Sequence, residues 1–260
     1  MADKWNAGLR SVPAAGSRTD ATIDQGLRAY MLKVYNLMAA GLAITGAAAY
    51  GVYSLATTTV ASNSVGELNG VMLTQFGATV YTSPLKWVLM LAPLAMVFFL
   101  SMRINRMSTQ AAQATFWAYA ALVGVSLSTI FLVYTQDSIT QVFFITAASF
   151  GALSLFGYTT KRDLSGMGSF LIMGVVGIVI AMIVNIFLQS SALAFAVSVI
   201  GVLVFAGLTA YDTQRIKEMY FEGDDALVAG RKAIMGALSL YLNFINMFMF
   251  MLQLFGNRNS

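Results

Sequence analysis

Seven stretches of the chain read as nearly unbroken apolar runs, at about 34–57, 85–102, 111–134, 139–158, 167–188, 193–213 and 233–256. Each meets or approaches the roughly 20 residues that a helix needs to cross the hydrocarbon layer. None shows the period-two alternation of a barrel strand, and all are rich in Leu, Ala, Met and Phe. The pattern predicts an all-α integral membrane protein with seven transmembrane helices. The second run is short, and the seventh carries Asn243 and Asn246, so it is expected to be buried or only partly spanning. Residues 58–84 (TTVASNSVGELNGVMLTQFGATVYTSP) are too mixed for a span and read as the one long loop. The expected organisation is a polar N-terminal tail over 1–28, a membrane domain over 29–256 and a short tail over 257–260.

Composition agrees with the runs. Apolar residues make up 58% of the 260 positions and charged residues only 10%, whereas a soluble domain carries about a quarter charged residues. The placement of the basic residues predicts orientation. Putting the N-terminus in the cytoplasm leaves only Lys86 and Arg258 on the far side. Lys4, Arg10, Arg18, Arg28, Lys33, Arg103, Arg106, Lys161, Arg162, Arg215, Lys217, Arg231 and Lys232 all fall inside. That bias accounts for the net charge of +4 without any nucleic-acid partner. A cleaved signal ending near Ala47-Ala48-Ala49 is disfavoured, because the apolar run continues to Ala56 and a long polar stretch precedes it.

Two zero counts narrow the chemistry. With no Cys there is no disulfide, thiol nucleophile or thiolate metal site. With no His, the commonest general base, metal ligand and sensor of neutral pH is missing. No cofactor and no enzymatic activity are expected. An intramembrane aspartyl protease would need two facing acids. Tyr211-Asp212 could supply one, but Phe221-Glu222-Gly223-Asp224 lies in a polar loop and lacks the glycine of the second motif. A serine–lysine dyad is equally unsupported, since Lys33 and Lys86 sit at boundaries where they can snorkel.

An ionisable residue inside a span marks a functional candidate, because hydrocarbon penalises charge. Asp212, at the end of LVFAGLTAYD, is the acid that meets this description. It is either an interfacial carboxylate paired with Arg215 one turn later, or an inward-facing group whose proton occupancy alters packing. Asn243 and Asn246 lie three apart, on one helical face. Amides in a span serve as interhelical glue or line a polar path, so this face should point at protein or water. Asn36 and Asn185 carry the same implication more weakly. Arg103, directly after the second span, reads as a boundary anchor.

Three segments, KRDLSGMGSF (161–170), GLTAYDTQRIKEMY (207–220) and GALSLYLNFINMFMFMLQLFG (236–256), together resemble the transmembrane Bax inhibitor motif family, most closely its bacterial inner-membrane branch. The resemblance covers about residues 29–256 and implies six helices around a central seventh. It also implies a pH-sensitive calcium leak across a bacterial inner (plasma) membrane. In that picture two aspartates on the sixth and seventh helices share a hydrogen bond, and an arginine from the second helix latches onto the first. Carried over, the first aspartate falls on Asp212, the arginine on Arg103, and the second aspartate on Asn243, which departs from the pattern. An Asp–Asn pair keeps the hydrogen bond and loses the repulsion between two acids, so any pH gate is expected to be shifted acidic or blunted. Calcium prefers six to eight oxygens, so only weak, transient coordination by Asp212 and Asn243 is expected. The alternative is a non-conducting regulator that binds a membrane protease or other membrane partner, with the exposed N-terminal tail as its candidate contact.

Overall fold

The computed structural model describes the backbone of residues 15–259 and the side chains of residues 25–259. The first half of the expected polar tail, with Lys4 and Arg10, lies outside the described residues, as do the side chains of Arg18, Asp20 and Asp24. The elements are α1 (Ala15–Ala56), β1 (Gly66–Leu68), β2 (Val71–Leu73), α2 (Gln75–Tyr81), α3 (Leu85–Arg103), α4 (Thr109–Leu127) and α5 (Ile130–Val133). They continue with α6 (Gln136–Thr159), α7 (Ser165–Leu188), α8 (Ser191–Glu218) and α9 (Ala226–Phe255). Among the described residues, seven helical segments are long and apolar enough to cross a membrane, with α4 and α5 together forming the third. They coincide with the seven apolar runs.

Polar caps start several of these helices. Ser108, Ser190 and Asp225 accept hydrogen bonds from the amides of Ala111, Leu193 and Val228, supplying partners that the first turns of α4, α8 and α9 otherwise lack. The helices end differently. At α7, Gln189 turns left-handed at φ 48°, and the Asn185 side chain accepts from the Ser190 amide at 3.0 Å. Asn185 therefore helps to terminate a helix.

The structure adds to one expectation and corrects another. Helix α1 begins at Ala15, so the second half of the polar stretch 1–28 is helical and continuous with the first span. The segment 58–84 is a structured cover rather than a plain loop. Asn69 and Gly70 adopt positive φ (51° and 77°) and close the antiparallel hairpin β1–β2, the geometry that a two-residue Asn-Gly turn favours. The hairpin and α2 then dock on the end of α1. The Thr74 hydroxyl donates to the Leu55 carbonyl at 2.8 Å, and Gly77 lets α2 lie directly on the Ala56 carbonyl, where a Cβ would collide. Burial raises the Tyr81 phenol above its ordinary pKa, and its hydroxyl donates to Ser128.

Helix α9 is the axis. Within its most apolar window 67% of residues are buried, the highest share of the seven. Helices α1, α4, α6 and α8 pack on it, while α3 leans chiefly on α4 and α7 chiefly on α8. The central seventh helix is thus as expected, with two of its six companions displaced outward by one layer. Ala233, Ala237, Tyr241, Phe244 and Met247 of α9 fill the middle of the bundle.

Candidate functional site

Asp212 and Asn243 meet where α8 and α9 cross. Glycines let the two helices approach: a Cβ on Gly201 would fall 2.6 Å from the Phe250 ring, and one on Gly236 would fall 3.0 Å from Ile216. At this separation short side chains can bridge the backbones. The Asn243 Nδ2 donates to Asp212 Oδ2 at 2.7 Å. Asn243 is 5% exposed and Asp212 is half-buried, so the bond is largely shielded from solvent. A charged acceptor makes such a bond stronger than one between neutral partners.

The remaining candidates are placed elsewhere. Arg103 stands exposed at the end of α3, and among the described residues the one ion pair is Lys232–Asp224 at 2.5 Å. The expected Asp212–Arg103 contact is therefore not made. The reason is the layering: α3 packs on α2 and α4, outside the ring that surrounds α9. Arg215 is exposed and forms no ion pair with Asp212 either. Asn246, although on the face predicted from its spacing, turns its amide back to the Leu242 carbonyl at 2.8 Å and does not join the pair. Asn36 is exposed. Among the described residues no three acidic side chains converge, so Asp212 and Asn243 form a two-residue site.

A separate set of hydroxyl groups ties neighbouring helices together. Tyr35 Oη on α1 and Ser154 Oγ on α6 are 2.6 Å apart, Ser154 Oγ and Thr213 Oγ1 on α8 are 3.0 Å apart, and Thr213 donates onward to the Thr209 carbonyl at 2.7 Å. The chain links three helices and ends on the residue following Asp212. A second knot ties α1, α4 and α9: Thr45 Oγ1 lies 2.6 Å from Tyr241 Oη and within 2.8 Å of the Ala120 carbonyl. Nothing in the sequence distinguished these Ser, Thr and Tyr residues from others in the spans. In a helix such a hydroxyl satisfies itself on the carbonyl four residues back, so only the rotation of each helix reveals which ones reach a neighbour.

The segments that carry the resemblance form one joint. Gln214 accepts from the Leu164 amide and donates to the Arg162 carbonyl, both at 2.8 Å, pinning the α6–α7 loop to α8. Lys217 donates to the Tyr158 carbonyl at 2.9 Å. Gly168 leaves room for the ring of Tyr211, which its Cβ would strike. The hydroxyl and amide of Ser165 hold the Asp163 carboxyl below its usual range, stabilising the turn that enters α7. The loop 160–164 thereby fixes the end of α8 that carries Asp212.

Matches to known proteins span the residues of this joint. The sequence model described as inhibitor of apoptosis-promoting Bax1 matches residues 27–260. An uncharacterized protein of Caulobacter vibrioides is 47% identical over 253 residues, covering 96% of each chain. Uncharacterized protein RP147 of Rickettsia prowazekii is 46% identical, over 92% of this chain and 94% of its own. Inner membrane protein YbhL of Escherichia coli is 44% identical over 245 residues, which is 93% of this chain and 97% of that protein. A match of this extent reaches all three segments and all seven spans, and the chain belongs to the transmembrane Bax inhibitor motif family.

Proposed function

We propose that the chain is a multi-pass protein of a bacterial inner membrane, N-terminus in the cytoplasm, that passes calcium as a slow leak, and that the Asp212–Asn243 pair restrains it. The observation that supports this reading is the pair itself: a carboxylate within a span, tied to a buried amide on the central helix. A carboxylate held in a membrane is costly and calls for a role. Joining α8 to α9, the pair holds shut the crossing of the two most closely applied helices. Weak coordination by one carboxylate and one amide suits a transported ion, which must also leave. The name of the Escherichia coli relative supports the membrane assignment.

The pair also bears on pH. A carboxylate accepts from the Asn243 amide nitrogen, and a protonated carboxyl can donate to the amide oxygen, so an Asp–Asn tie persists in either state. Two aspartates would hold together only while sharing a proton. The expected response to pH is accordingly blunted.

Calcium flux into proteoliposomes tests the proposal. Asp212→Ala and Asn243→Ala each break the tie and are expected to raise flux severalfold at neutral pH. Arg103→Ala, which touches neither residue, is expected to leave it unchanged. Flux in the wild type and both tie variants no greater than in empty liposomes would overturn the leak.

A further inference from the structure

The ring around α9 is open between α1 and α6, and the opening is a groove. Its first part, a cavity of about 680 Å³, runs along α1 from Arg28 to Leu42 and is floored by Phe244 of α9. A second cavity of about 460 Å³ continues to Ala49, and Ala39, Leu42, Phe143 and Phe244 line both. At 1.5 Å per residue the first part is about 20 Å long. That is about one leaflet's half of the hydrocarbon, roughly 15 Å, plus a headgroup.

The lining has two characters. Most of it is apolar, including Met31, Phe143, Phe150 and Leu155. At one end it becomes polar: Arg28 lines the mouth from α1 and Tyr158 from α6. The Lys217 ammonium lies 5.2 Å from the centre of the Tyr158 ring, and Lys161 follows α6 at the same end. A narrow apolar slot with a cationic mouth at a leaflet boundary is the form that binds a lipid with an anionic head.

We propose that the first cavity holds one anionic phospholipid of the leaflet at the basic end, its headgroup at Arg28 and an acyl chain against Phe143 and Phe150. The inference does not depend on whether the protein conducts. Bound there, the chain would lie beside the Tyr35–Ser154 pair.

Native mass spectrometry of the full chain tests this, after exposure to equal amounts of phosphatidylglycerol, phosphatidylethanolamine and phosphatidylcholine with matched acyl chains. One phosphatidylglycerol is expected to remain bound. Arg28→Gln should reduce the preference for it over phosphatidylcholine by about fivefold. Gly151→Leu should abolish retention, because Gly151 lines the first cavity and a Cβ there meets nothing within 4 Å. Gly46→Leu, equally open but in the second cavity, should leave retention intact. Ala147→Leu obstructs the same slot should Gly151→Leu fail to give a monodisperse protein. Equal retention of the three lipids overturns the proposal. So does phosphatidylglycerol bound to folded Gly151→Leu or Ala147→Leu, or its loss from Gly46→Leu to the same degree.

Discussion

Helices α7 and α9 both cross the bundle and differ in almost everything else. In the most apolar window of α7 only 11% of residues are buried, against 67% in α9. The more hydrophobic of the two lies outside, and the one with asparagines lies at the centre. In water the order would be reversed. In lipid, burying apolar surface between helices gains little, because acyl chains are as apolar as leucine, and association rests on packing and interhelical hydrogen bonds. Helix α7 touches the bundle mainly through Gly168, Leu171 and Ile178, and turns Phe170, Ile186 and Phe187 outward. Helix α9 offers Tyr241, packed edge-on against Phe116 and Tyr119, and Asn243, bonded to Asp212.

Substitutions can break this contrast at several strengths. The largest effect is expected for Tyr241→Ala. The residue is fully buried and its hydroxyl meets Thr45, so truncation should cost about 3–5 kcal/mol in reversible unfolding from micelles. Next is Gly157→Val on α6. An added Cβ there meets the Ala210 backbone carbonyl of α8, which cannot swing aside, and about 1–3 kcal/mol should be lost. At the other extreme, Phe187→Ala on α7 removes a side chain that is 82% exposed, and stability should stay within about 0.5 kcal/mol. A Phe187 effect as large as that of Tyr241 would erase the distinction between the two helices.

The same contrast explains what could be read from the sequence. The spans were legible because the bilayer imposes length and composition on each segment separately. Asp212 and Asn243 were legible because charge and amide groups are scarce in such segments, and the structure joins them. Four features were not. The Asn69-Gly70 hairpin left its turn signal in plain view, but its strands are three residues each and lack a clear apolar alternation. Arg103 follows the second span as the family pattern suggests, yet the position of α3 in the outer layer is a tertiary fact that no local pattern encodes. Asn246 shares a face with Asn243 but its amide returns to its own backbone, which spacing alone does not reveal. The hydroxyl chain through Tyr35, Ser154 and Thr213 escaped for the opposite reason, since each residue is unremarkable until three helices converge.

The pair at the centre carries the functional reading, and the pH profile of calcium flux tests it most directly. Wild type and Asn243→Asp should be compared in proteoliposomes from roughly pH 5 to pH 8, where a shared carboxyl proton would be gained or lost. The account predicts a shallow profile for the wild type and a steep one for the variant, in which a second acid makes the tie depend on that proton. Superimposable profiles would contradict it.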